Sequence, residues 1–60
     1  MTRKDYVAIA AAIKETGKYH ERAEAVDALA FLARDLATTL AADNPRFNRA
    51  RFLKACGVQS

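Results

Sequence analysis

The sequence predicts an all-α protein, a single small domain over residues 1–60 with three helices at about 3–16, 21–43 and 48–56. Two observations predict this class. Apolar residues recur at three- and four-residue intervals in each stretch, which is the period of an amphipathic helix. Gly17, Pro45 and Gly57 follow the three stretches, at positions where helices commonly end.

The first predicted helix begins with a capping box, because Thr2 precedes it and Asp5 stands three residues later. Its apolar side follows in three- and four-residue steps: Tyr6, Ile9, Ala10 and Ile13. Gly17 is expected to end this helix in the left-handed backbone conformation.

The second predicted helix is the longest. Its start has no capping side chain, but Glu21 and Glu24 would suit the positive end of the helix dipole. Its apolar face comprises Val26, Leu29, Ala33, Leu36 and Leu40. Asn44 is expected to end the helix, since a residue before proline is driven out of the helical region.

The third predicted helix has the clearest boundaries. Asn48 is a good N-cap, Phe47 and Phe52 occupy the two positions of a hydrophobic staple, and Gly57 stands where a left-handed C-terminal residue belongs. Its buried side is predicted to be Phe52, Leu53 and Cys56. Arg49 and Lys54 are expected to face solvent.

The small size predicts a thin core. Sixty residues are near the lower limit for a stable single domain, and one cysteine with one histidine excludes an internal disulfide and a four-ligand zinc site. At 1.5 Å per residue the helices span roughly 21, 33 and 12 Å, so the two short helices should pack on the long central one, one near each end. Such a flat arrangement leaves apolar surface uncovered, which predicts a homo-oligomer, with a dimer favoured.

Phe31 is the unexpected residue of the middle helix, because the helical period places it about 160° from the apolar stripe. One interpretation is a contact with a second subunit or another protein, since aromatic side chains commonly anchor interfaces. The alternative is that a terminus or the Pro45 loop covers the ring. The candidate protein interface is Phe31, Leu32 and Leu36.

The excess positive charge lies in one short segment. Residues 1–44 carry six basic and seven acidic side chains, whereas residues 45–60 carry four basic side chains and no acidic one. The four are Arg46, Arg49, Arg51 and Lys54. A local basic cluster indicates an acidic partner, either the nucleic-acid backbone or the acidic residues of a neighbouring subunit or another protein.

The sequence predicts no catalytic function and no cofactor. His20 and Cys56 lie in different parts of the chain, and no phosphate loop or metal-ligand spacing is present. We interpret His20 as structural or exposed and Cys56 as a small buried apolar group. No apolar run is long enough to span a membrane and the start MTRKDY lacks the apolar run of a signal peptide, so a cytoplasmic protein is expected.

Two segments, MTRKDYVAIAAAI at the start and DNPRFNRARFLKACG at the close, carry a resemblance. They resemble small uncharacterised open reading frames of bacteriophages and prophages, with an M-T-x-K/R start and an N-P-x-F-x-R-x-R-F-L-x-A-C-G-like close. The resemblance implies phage origin and action inside an infected bacterium, with a phage or host protein as partner. The expected function is that of an accessory protein acting by protein–protein recognition. The alternative is nucleic-acid binding through the basic C-terminal helix.

Overall fold

A computed structural model describes residues 1–58, in which three helices and no strand are present. The helices are α1 (Arg3–Gly17), α2 (Ala23–Asp43) and α3 (Arg49–Ala55). The all-α prediction is confirmed, and every helix boundary lies within two residues of its predicted position.

The starts of α1 and α2 differ in how they are capped. The Thr2 amide donates to the Asp5 carboxylate at 2.9 Å, and the Thr2 hydroxyl donates to the same oxygen at 3.3 Å. The start of α2 is two residues later than predicted, with extended backbone at Arg22 and no side-chain cap. Without a capping side chain, nothing holds Glu21 in the first turn of the helix.

The end of α1 differs from the prediction at Gly17. This glycine is the last residue of the helix, and its backbone is not left-handed. The chain leaves α1 through short-range turns instead, in which Lys18 and Tyr19 donate to the carbonyls of Glu15 and Thr16, each at 3.2 Å. Because these turns continue the right-handed path, no left-handed residue is needed there.

The end of α2 and the start of α3 follow the prediction. Asn44, before Pro45, has extended backbone with φ −139° and ψ 106°. The Asn48 side-chain oxygen accepts from the Arg51 amide at 3.0 Å, which satisfies one of the free amides of α3.

The end of α3 is a Schellman motif. Gly57 has φ 81°, so it takes the left-handed conformation that glycine adopts most readily. The Val58 amide donates to the Leu53 carbonyl at 2.9 Å, and the Gly57 amide donates to the Lys54 carbonyl at 3.0 Å. Val58 packs against the core, as expected for this motif.

The core combines alanines on α1 and α2 with larger side chains on α1 and α3. Its buried members are Ala10, Ile13, Ala33, Ala37, Phe52, Leu53 and Cys56. The predicted buried side of the third helix is therefore confirmed. Ala33 and Ala37 are 0% exposed, so the central helix presents its smallest side chains where its neighbours pack.

Both short helices pack on α2, as predicted, but they also pack on each other. The flat arrangement expected from the helix lengths is therefore wrong. Alanines at the helix contacts let the backbones approach closely, and the large α3 side chains Phe52 and Leu53 are buried in the common core. Apolar surface nevertheless remains exposed on α2, at Val26, Phe31 and Leu32.

Candidate functional site

The turn between α2 and α3 is built around Asn44. Its side-chain oxygen accepts from the Arg46 amide at 3.1 Å, and its side-chain nitrogen donates to the Tyr6 hydroxyl at 3.3 Å. Its carbonyl accepts from the Phe47 amide at 3.0 Å. These bonds fix the backbone at Arg46 against α1 while leaving the arginine side chain exposed.

Three aromatic rings join this turn to α1 and α3. Phe47 meets Tyr6 edge to face, with ring centroids 4.8 Å apart and an interplanar angle of 75°. Its ring also lies 5.4 Å from that of Phe52. Phe47 and Phe52 thus form the predicted staple, and Tyr6 extends it to the first helix.

A groove of about 530 Å³ lies over these rings. Its lining includes the rings Tyr6, Phe47 and Phe52 and the exposed arginines Arg3, Arg46 and Arg51, and we call it the arginine groove. Among residues 1–58, no acidic side chain lines it. Within residues 1–58, none of the three guanidinium groups takes part in an ion pair.

Two of the four basic residues of the predicted cluster line the arginine groove, and two lie outside it. Arg46 and Arg51 line the groove. Arg49 lies on the α2 side of α3, where its guanidinium donates to the Thr38 hydroxyl at 3.5 Å. Lys54 is exposed and lies outside the groove.

Arg3 is the groove residue that the sequence reasoning missed. It belongs to the charge-balanced part of the chain and is separated from Arg46 by most of the sequence. The capping box makes Arg3 the first helical residue, but only the packing of α1 against the turn at Asn44 brings it to the groove. No local sequence pattern reports that packing.

The predicted interface residues of α2 differ in exposure. Phe31 is 65% exposed and Leu32 is 50% exposed, so neither the N-terminal residues nor the Pro45 turn covers the Phe31 ring. Leu36 is half-buried and packs against the core. The apolar surface of α2 that is open to a partner is therefore centred on Phe31 and Leu32.

His20 and Cys56, the two residues considered for catalysis, do not line the arginine groove. His20 is exposed in the turn that precedes α2. Cys56 is buried in the core, and desolvation raises the pKa of its thiol, which disfavours the nucleophilic thiolate. Asn48 has its predicted role as the cap of α3.

Within residues 1–58, no group of three or more histidine, cysteine, aspartate or glutamate side chains is arranged to hold a metal ion. No helix in the same range has the length and apolar character needed to cross a membrane. The chain matches no protein-family model, no curated protein and no solved structure.

Proposed function

We propose that this chain is a non-catalytic recognition protein whose arginine groove binds an acidic segment of a protein partner. The observation that carries the proposal is one groove with three aromatic rings, three arginines and no acidic lining. Arginine and aromatic side chains are the types most enriched at protein-interface anchors. A segment with carboxylates around an apolar side chain would suit both halves of this lining.

A protein segment suits the groove better than nucleic acid. The Phe47 ring packs against Tyr6 and Phe52, which leaves it poorly placed as a stacking platform for bases. Arg49 and Lys54 also lie away from the groove, so the four basic residues do not form one track for a phosphate backbone. The experiment therefore has to distinguish binding of an acidic peptide from binding of nucleic acid.

The resemblance of the two chain ends to phage and prophage reading frames supports a role inside an infected bacterium. The protein would act in the cytoplasm as an accessory factor, with a phage or host protein as partner. Self-association, in its simplest form a homodimer, belongs to the same proposal. It is supported by Phe31 and Leu32, which leave apolar surface exposed on α2.

The test is fluorescence anisotropy with three labelled probes: a peptide alternating Asp and Glu with Phe and Leu, its Asn and Gln counterpart, and a single-stranded oligonucleotide. Two double variants with equal charge are compared with the parent chain. Arg46→Ala with Arg51→Ala removes two groove cations, and Arg49→Ala with Lys54→Ala removes two cations outside it. All four side chains are exposed, so both variants should fold, which circular dichroism checks.

We expect the acidic peptide to bind, the neutral peptide to bind at least fivefold more weakly, and only the groove variant to lose affinity. Nucleic-acid binding would instead weaken in both variants alike and fall steeply with salt, because each cation contributes to counterion release. Binding of the oligonucleotide alone, or of no probe, contradicts the proposal.

A further inference from the structure

We infer that the arginine groove also accepts a second copy of this chain, through the outer side of α2, so that copies associate head to tail. The inference rests on the proposed function in one respect, the groove as a binding site for acidic and apolar groups. It goes beyond that function in naming the occupant and the geometry of the assembly.

The occupant is a ridge formed by Asp27, Phe31 and Asp35. These residues are four positions apart, so they share one face of the helix. All three are exposed, and Phe31 is 65% exposed. Neither carboxylate is in an ion pair within residues 1–58. The ridge is thus an aromatic ring with a carboxylate one turn away on each side.

The ridge and the arginine groove are complementary in charge and in apolar character. The groove has aromatic rings and arginines without an acidic residue, whereas the ridge has an aromatic ring between two carboxylates. The ridge carboxylates are separated along the helix by roughly 12 Å, with Phe31 between them, so a carboxylate on each side is available to a guanidinium group while Phe31 contacts the apolar lining of the groove. Pairing arginines with carboxylates gives charge-assisted hydrogen bonds of defined geometry.

The two surfaces lie on different elements of the chain. No residue of α2 lines the groove, whose residues come from positions 1–10 and 44–55. The contact between copies therefore joins two unlike surfaces, and in the head-to-tail arrangement that we infer each copy keeps one surface of each kind free for the next. Such a heterologous contact forms rings or open chains, whereas in a two-fold dimer the groove and the ridge of the same two copies would pair reciprocally.

Analytical ultracentrifugation tests the inference with two variants, each lacking one surface. Phe31→Ser removes the ridge, and Arg46→Ala with Arg51→Ala removes the groove. Neither change touches a buried side chain. The matched control is Val26→Ser, at an exposed apolar residue of the same helix that lies about 140° away from Phe31.

We expect the parent chain and the Val26→Ser control to grow beyond a dimer as concentration rises, and each of the two variants alone to stay monomeric. An equimolar mixture of the two variants should form a one-to-one heterodimer and nothing larger, because one copy supplies the groove and the other the ridge. A parent chain that stays monomeric, a parent chain that stops at a dimer, or a mixture that stays monomeric overturns the inference.

The peptide assay separates this inference from the proposed function. Phe31→Ser leaves the groove intact, so it should bind the acidic peptide with the affinity of the parent chain at low protein concentration. Peptide binding without self-association would overturn the head-to-tail inference alone. Self-association of the Phe31→Ser variant would contradict the ridge as its source.

Discussion

Substitution by alanine is predicted to have opposite effects on stability at the two glycines of the chain. Gly17 ends α1 without a left-handed backbone, and an added Cβ would lie 3.8 Å from Leu29 Cδ1, an ordinary contact. Gly57 has φ 81°, and an added Cβ would lie 3.6 Å from Lys14 Cγ, also an ordinary contact. Neither alanine meets a steric obstacle, so backbone conformation decides the sign of each effect.

The magnitudes follow from that difference. Gly17→Ala should raise the free energy of unfolding by about 0.4–1 kcal/mol, because alanine restricts the unfolded chain and fits the native backbone. Gly57→Ala should lower it by about 1–2 kcal/mol, the cost of a left-handed conformation for an ordinary residue. For a domain of this size, 1 kcal/mol corresponds to roughly 4–8 °C in Tm.

Thermal unfolding followed by circular dichroism measures both variants against the parent chain, at several protein concentrations because self-association would raise the apparent Tm. Gly57→Asn is a matched control, since asparagine tolerates the left-handed region and should lose less stability than alanine. The reasoning is refuted if Gly17→Ala destabilises the protein, or if Gly57→Ala leaves the Tm unchanged.

Three further predictions concern α3 and the core. Asn48→Ala should lower the free energy of unfolding by about 1 kcal/mol in urea titrations, because the Arg51 amide loses its cap, and an unchanged midpoint contradicts that role. Phe52→Ala should cost about 3–5 kcal/mol, against about 0.5 kcal/mol or less for the exposed Phe31→Ala, and equal losses would contradict the assigned core. Burial raises the pKa of the Cys56 thiol, so the folded state retains this proton more strongly than the unfolded state. The stability that the protonated Cys56 thiol contributes is complete below the unfolded-state pKa and falls as pH rises toward the folded-state pKa. Unfolding free energies from about pH 7 to about pH 10 should therefore fall more steeply for the parent chain than for Cys56→Ala, and parallel curves would refute this.

The structure of α3 could be predicted residue by residue, since the signals for it are local. A cap acts on an amide three residues away, a staple joins side chains five residues apart, and a left-handed glycine acts within its own turn. Asn48, Phe47 and Gly57 each have the predicted role. Gly17 shows the limit, because a glycine permits a left-handed stop without requiring one.

The candidate site could be predicted only in part, because it depends on contacts between distant segments. The charge count identified Arg46 and Arg51 but grouped them with Arg49 and Lys54, which lie elsewhere. Arg3 enters the groove through the packing of α1 against the turn before α3. Helix lengths alone also could not predict that α1 and α3 touch, since that contact depends on which faces carry alanine.

The alanines at the centre of the fold affect how its tolerance to mutation can be mapped. Ala10, Ala33 and Ala37 are 1%, 0% and 0% exposed, and they lie where the helices meet. Alanine scanning leaves these positions unchanged, so it would give no information on fully buried positions of the interior. Substitution by valine would instead probe the spacing between helices, because a larger side chain overpacks the contact. Substitution by glycine would probe helix propensity at the same positions. Buried positions at the helix contacts are thus ones that a standard alanine scan does not test.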